Sequence, residues 1–433
     1  MKKRVVAFIC QFSNEMVRSH LSLSNYKVEN YIRKGLGHKP RGYVDRVIWV
    51  TEYIKGFELD AECEYHIISP HPGMKKLKQS FDNNGIHYHF VRQEPIFFIH
   101  YLNERFKVYQ KNYYRRNRYL INGFISAIDP DLVVLCGAEN PYYATSILDI
   151  TNKPIFTILQ SLRNNPKLME FENNKWLLEA ERRVLKHSIF FGGGGYEFYG
   201  ILKGIVNNPI FLKLGFPQGT PPLFPNLEKE SDFIFYAARI GKNKGIEDVL
   251  KAFKKIVVAY PSATLTIAGG CADSYQSYLI DTYILPENID NNIKICGFFP
   301  KFEDVYKEVQ KARIVVIPGI SAALNGTVRE SMQMGMPVIV YRTSATDYIN
   351  NDQQRILTAE MENVDDLAEK MLYAYEHPKE MAEMAVLAKA YADVEYDSLS
   401  MAKQLVDDFK ACMGYYYEGK PIPSTLLLEG NES

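Results

Sequence analysis

The stretch Phe233–Phe253, FIFYAARIGKNKGIEDVLKAF, decides the fold. FIFYAA is apolar on both faces, as a strand inside a parallel sheet is. A loop of basic residues and glycine follows, and IEDVLKAFKKIVVAY then carries apolar residues at helical spacing. The alternation continues downstream. ATLTIAGG reads as a strand ending in glycines and IKICG as another; FEDVYKEVQKA is an amphipathic helix, RIVVIPG a strand, TVRESMQMG a helix, and PVIVY a closing strand. Apolar strands separated by helices predict a doubly wound parallel sheet covered on both sides.

The first half repeats the pattern more loosely. RVVAFIC, CEYHII, IHYHFV, DLVVLC, PIFTIL, SIFFGG and PIFLKL are strand candidates, and helices are expected at Val44–Phe57, Met74–Asn84, Glu104–Ile128 and Trp176–Lys186. The Pro-rich, polar stretch 216–232 reads as a linker. It separates a first domain at 1–215 from a second at 233–395. A C-terminal helix at 396–416, able to pack back on the first domain, and a loosely held tail at 417–433 complete the division. A chain of 433 residues suits two cores. Two open parallel sheets place a ligand crevice at the carboxyl ends of their strands.

Composition narrows the partners. The 51 basic and 51 acidic residues cancel, so no polyanion such as nucleic acid is expected. The six cysteines are scattered without a CxxC pair, which suggests reduced thiols in a cytoplasmic protein. The opening MKKRVVAFICQFSNE is too short an apolar run to span a bilayer and reads as a first strand. The segment 96–120 interleaves aromatics with Arg105, Lys107, Lys111, Arg115, Arg116 and Arg118. An ordinary solvated helix or a peripheral contact with an anionic membrane face would each account for it.

Three features of the second domain point to a phosphorylated ligand. Arg239 and Lys244 follow directly on a strand, where cations would face a ligand and suit phosphate oxygens. SAALNGTVRE leads small residues into a helix whose unpaired amides favour an anion. Glu330, expected in the first turn of that helix, could accept hydrogen bonds from vicinal hydroxyls such as a ribose. Each feature also has a plain structural reading as loop, turn or dipole complement. A nucleotide sugar would need all three together.

The series FYAARIGKNKGIEDVLKAF, LTIAGG, ICGFFPKFEDVYKEVQKARIVVIPG and VRESMQMGMPVIVY resembles the successive motifs of retaining glycosyltransferases of family 4, also called group 1. The resemblance covers most of 233–341. It implies an α/β protein of the GT-B fold, two Rossmann-like doubly wound domains facing across a crevice. The donor would sit on the second domain, and a saccharide or lipid-linked saccharide acceptor on the first. It also implies that Arg239 and Lys244 neutralise the donor diphosphate and that Glu330 holds the ribose, with backbone amides at Asn325, Gly326 and Thr327 contributing.

The sequence departs from the family at named positions. Where the family carries the leading acid of its paired-glutamate motif, eight residues before Glu330, this chain has Ala322. Gln160 stands where a sugar-contacting His is usual, and the first loop offers Asn14 and His20 in place of glycines. A catalytically silent sugar-nucleotide-binding protein or scaffold is the rival reading on those grounds. No metal is expected, because turn chemistry explains Asp129-Pro130-Asp131, the only close carboxylate pair resembling a metal-binding Asp-x-Asp. His66, His71, His87 and His89 show no metal-ligand spacing in sequence and read as structural or surface residues.

Overall fold

The computed structural model describes residues 3–35, 40, 42–43, 45, 48–93, 112–166, 174–193, 195–217, 219–320 and 324–428. The chain divides into two compact units, Met1–Pro217 with Ser398–Ser433, and Gln218–Asp397.

Unit one holds eight strands: β1 (Arg4–Ile9), β2 (Cys63–His71), β3 (Lys78–Asn83), β4 (Ile86–Arg92), β5 (Leu132–Cys136), β6 (Ile155–Ile158), β7 (Phe190–Gly192) and β8 (Ile210–Leu212). Their order in the sheet is β3-β4-β2-β1-β5-β6-β7-β8. The central strands β1 and β5 are buried almost throughout, so both faces of the sheet need cover. Cover comes from α1 (Glu15–His20), α2 (Lys27–Gly35), α3 (Ile48–Leu59), α4 (Arg115–Ile128), α5 (Lys175–His187) and α6 (Gly195–Lys203).

Unit two holds β9 (Ser231–Arg239), β10 (Leu265–Gly270), β11 (Ile293–Gly297), β12 (Ala312–Val316), β13 (Val338–Tyr341) and β14 (Leu357–Ala359), in the order β11-β10-β9-β12-β13-β14. Every pair is parallel. Its helices are α7 (Ile246–Ala259), α8 (Asp273–Leu279), α9 (Phe302–Gln310), α10 (Gly326–Gln333), α11 (Ser344–Ile349), α12 (Val364–Glu376) and α13 (Pro378–Glu395). The last long helix, α14 (Ser398–Glu418), belongs to unit one. It buries Ala402, Leu405 and Phe409, and the Phe57 and Phe409 rings meet at 5.9 Å. A Cβ on Gly56 of α3 would come within 2.5 Å of the Ala402 Cβ, so a glycine there lets the two helices touch.

Two sequence expectations need correction. Met74–Asn84 was expected to be helical, but Lys78–Asn83 is a strand paired antiparallel with β4. Its burial alternates residue by residue, and Asn84 and Gly85 both take positive φ (49° and 77°), the geometry of a two-residue hairpin turn. The tail is also not wholly loose: the Lys213 N–H donates to the Leu426 carbonyl and the Leu428 N–H to the Phe211 carbonyl, both at 2.8 Å, beside edge strand β8.

The acidic pair in Asp129-Pro130-Asp131 serves the scaffold. Asp129 closes α4 in the left-handed region, and the Asp131 carboxylate accepts from the Val5 N–H at 2.8 Å. All six cysteines are free thiols. No helix among the described residues is long and apolar enough to cross a membrane. Residues 94–111, which carry most of the aromatic–basic segment, lie outside the described residues.

Candidate functional site

In unit two the chain runs from β9 outward to β10 and β11, then returns to the other side of β9 as β12. The carboxyl ends of β9 and β12 therefore flank the topological switch point, where open α/β sheets hold ligands.

β9 ends at Arg239, whose side chain is exposed. Buried Ile240 anchors the loop that follows and donates its N–H to the Gly270 carbonyl at 2.7 Å. Lys242–Lys244 form one tight turn, and Gly245, at φ +78°, starts α7. The turn is pressed against the end of β12. Ile320 N–H donates to the Asn243 carbonyl at 3.2 Å, and a Cβ on Gly245 would stand 2.1 Å from the Pro318 carbonyl oxygen. Only glycine fits there, for its φ and for the approach of two backbones.

Opposite the turn, Asn325 is the N-cap of α10, yet its side chain makes no capping bond. Its Oδ1 instead accepts from Lys244 Nζ at 3.2 Å. Burial holds the Lys244 ammonium below the ordinary lysine range. Among the described residues no carboxylate pairs with Lys244 or with Arg239. Two cations and the start of a helix thus converge on one strand-end region without a compensating anion. A half-buried ammonium with only a neutral partner favours an incoming phosphate.

Glu330 is the fifth residue of α10, so it sits in the second turn and not the expected first. There it lies too deep to be explained as a complement to the helix dipole. It faces two phenols instead. Burial raises the pKa of both Tyr236 and Tyr306, and the neighbouring Glu330 carboxylate raises them further. Tyr236 also joins its own strand, β9, to α10 through the Thr327 carbonyl (2.7 Å) and Ser331 Oγ (2.9 Å). The two tyrosines are the residues that sequence reasoning missed. Their only signal was position, on an apolar strand and on an amphipathic helix.

The structure thus brings Arg239, Lys244, Asn325, Gly326, Thr327 and Glu330 to the ends of neighbouring strands. Ala322 lies outside the described residues. In unit one, Asn14 caps α1 by accepting from the Val17 N–H at 2.9 Å. His20 ends that helix, bonded to the Met16 carbonyl and stacked on Phe81 at 4.4 Å. Gln160 donates to Cys136 Sγ at 3.3 Å.

Residues 224–390 match the family model described as Glycosyl transferases group 1. The match covers the core of the second unit, and the two units together have the GT-B fold. It is 26% identical over 202 residues to a GDP-mannose-dependent monoacylated alpha-(1-6)-phosphatidylinositol monomannoside mannosyltransferase of Corynebacterium glutamicum, covering 45% of this chain and 48% of the relative. It is 23% identical over 172 residues to an uncharacterized glycosyltransferase of Methanocaldococcus jannaschii, covering 40% of this chain and 38% of the relative. The matches therefore span less than half of those relatives. Among solved structures, a sucrose-phosphate synthase from Thermosynechococcus elongatus aligns with a TM-score of 0.67 at 11% identity, covering 94% of this chain and 98% of that one. A trehalose-6-phosphate protein from E. coli bound with UDP-2-fluoro glucose aligns at 0.66 and 11%, covering 94% and 99%.

Proposed function

We propose that this chain is a hexosyltransferase-type glycosyltransferase. It moves a sugar from a nucleotide-sugar donor to a saccharide or lipid-linked saccharide acceptor, in surface polysaccharide or glycoconjugate synthesis, with retention of anomeric configuration and without a metal. The observation that carries this is the pair of uncompensated cations, Arg239 and Lys244, at the switch point of unit two. In the reaction the bond from the anomeric carbon to the diphosphate oxygen breaks, and the acceptor hydroxyl oxygen forms the new bond. Its proton passes to the leaving diphosphate. Arg239, Lys244 and the opening amides of α10 stabilise the charge that develops there. Glu330, oriented by Tyr306 and Tyr236, accepts the ribose hydroxyls. Similarity to a GDP-mannose-dependent mannosyltransferase and to a structure holding a UDP sugar supports a sugar nucleotide as donor.

The test is turnover with a panel of UDP- and GDP-sugars in the presence of excess EDTA, with the product anomer read by NMR. Transfer with retention is expected. Nucleotide binding without any transfer would favour the silent rival, and transfer lost to EDTA and restored by Mg²⁺ would overturn the metal-free mechanism.

A further inference from the structure

Away from the strand ends just described, the first unit carries a cluster of six polar side chains on one face of its sheet. β2 and β4 are parallel with His66 opposite His87, and β3 runs antiparallel with Asp82 opposite His87 and Ser80 opposite His89. Successive strand residues alternate between faces, so Glu64 and His66, His87 and His89, and Asp82 and Ser80 share one face. Tyr65, Tyr88 and Phe81 lie on the opposite face, in or against the apolar core. Glu64 and His66 are two residues apart on β2, but His87 lies on β4, 21 residues beyond His66 in sequence. Strand pairing brings the two pairs together.

We propose that Glu64, His66 and His87 form a binding site for one divalent transition ion of the zinc class. The three ligand atoms lie within 4.8 Å of one another. Glu64 Oε1 is 2.9 Å from His66 Nε2 and 3.6 Å from His87 Nε2. Donors sharing one tetrahedral zinc at about 2.0–2.2 Å stand roughly 3.3 Å apart, so the two separations bracket what the ion requires.

The hydrogen bonds behind the ligands make the same case independently. His87 Nδ1 is 2.7 Å from Asp82 Oδ1, and a carboxylate only accepts, so Nδ1 carries the proton. His87 Nε2 faces the Glu64 carboxylate, and with the other ring nitrogen held by Asp82 it is the atom placed to ligate an ion shared with Glu64. Carboxylate to imidazole to metal is also the usual way a ligating histidine is oriented.

His66 has a comparable support. Its Nδ1 is 3.0 Å from His89 Nε2, and His89 Nδ1 is 2.9 Å from Ser80 Oγ. Without an ion, Ser80 can donate to His89, His89 to His66, and His66 to Glu64. With an ion on His66 Nε2, the chain runs the other way, ending with His89 donating to the Ser80 oxygen. Every polar atom of the relay keeps a partner in both states. Two imidazoles and one carboxylate select zinc or a similar borderline ion over Mg²⁺ or Ca²⁺, which prefer all-oxygen sites. Water would complete the coordination, since His87 and Glu64 are partly exposed.

Glu64 and His66 lie near the start of β2, and His87 near the start of β4. The carboxyl ends of those strands, where ligands of such sheets bind, lie at the opposite edge. The ion would therefore fasten β2 to β4 and, through Asp82, to β3, as a structural clamp that takes no part in sugar transfer.

The experiment uses the full chain freed of metal by chelation and dialysis, titrated with ZnCl2 by calorimetry and with CoCl2 by absorption. One equivalent should bind. Co²⁺ should give the intense visible bands of a tetrahedral N/O site, and Zn²⁺ should raise the melting temperature. His66→Asn and His87→Asn should each abolish these signals, while the apo variants melt near apo wild type. Asp82→Asn should weaken Zn²⁺ by about 10- to 100-fold, because it only orients His87. Should a variant fail to fold, Glu64→Gln, which preserves shape, must still lower affinity. Zn²⁺ binding that persists unchanged in the His66→Asn/His87→Asn double variant overturns the proposal, as does the absence of a one-equivalent binding event in the wild type.

Discussion

At the carboxyl ends of β5 and β6 in unit one, polar side chains are knitted to one another. Glu181, nearly fully buried, accepts from the Arg163 and Asn164 N–H groups at 3.0 and 2.9 Å and from the Asn164 side chain at 2.7 Å. Arg163 Nε donates to the Glu139 carbonyl at 2.9 Å. At the carboxyl ends of β9 and β12 in unit two, Lys244 meets only a neutral amide and Arg239 meets no described carboxylate. The strands concerned are parallel to their neighbours in both sheets, so fold does not explain the difference. Unit one uses its charges to hold its own loops, whereas unit two leaves two cations for something that the chain does not contain. A buried charge without a partner is costly, and it persists where a ligand repeatedly supplies the partner.

The comparison can be strained at one glycine in each unit. Gly245→Ala places a methyl 2.1 Å from a backbone carbonyl at a φ of +78°, and neither backbone can swing away. It should cost roughly 2–4 kcal/mol in thermal or denaturant unfolding and displace Lys244, weakening nucleotide binding as well. In unit one, Gly137 also has positive φ (+91°), but a Cβ there meets only side-chain ends, the Glu139 carboxylate oxygens at 2.9 and 3.0 Å and the Tyr143 hydroxyl at 3.0 Å. Gly137→Ala should cost only about 1–2 kcal/mol and leave nucleotide affinity unchanged. Equal losses of nucleotide affinity in the two variants would mean that the Gly245 turn has no special tie to the site.

A smaller effect separates the units by pH. Burial pushes the Glu139 carboxyl up to about 7, with the Glu181 charge adding to the rise, and its Oε2 has no hydrogen-bond partner. Between the ordinary glutamate value of 4.5 and about 7, the folded chain keeps a proton that the unfolded chain releases. That contribution to stability is complete below 4.5 and is lost as pH rises toward 7. Glu139→Gln removes the loss. Its melting temperature relative to wild type should climb between pH 5 and pH 7.5 by the equivalent of about 2 kcal/mol, then level off. Parallel melting curves across that range would show that Glu139 is ionised in the fold at no cost.

Unit two was the more legible half because its strands are apolar on both faces and its loops are short, so periodicity alone marked β9 to β13. In the hairpin β3–β4 the second strand was legible and the first was not, because KQSFDN carries a single large apolar residue, Phe81, and so little apolar periodicity. Arg239 and Lys244 were legible since position after a strand defines where they point. The Lys244–Asn325 bond joins residues 81 apart, and the tyrosines around Glu330 come from β9 and α9. Such contacts are made by the order of strands in the sheet, which no local pattern states. The Glu64–His66–His87 cluster was hidden for the same reason.

The central claim is that the uncompensated cations of unit two hold a diphosphate. The most direct measurement is a calorimetric comparison of a free nucleoside with its diphosphate, uridine against UDP and guanosine against GDP, on wild type and on Arg239→Ala/Lys244→Ala. Charge-assisted hydrogen bonds are worth about 1.5–3 kcal/mol each, so the preferred diphosphate should exceed its nucleoside by about 100-fold or more in wild type. In the folded double variant that advantage should shrink to a few-fold while nucleoside affinity stays the same. A diphosphate preference that survives intact in the double variant would contradict the assignment.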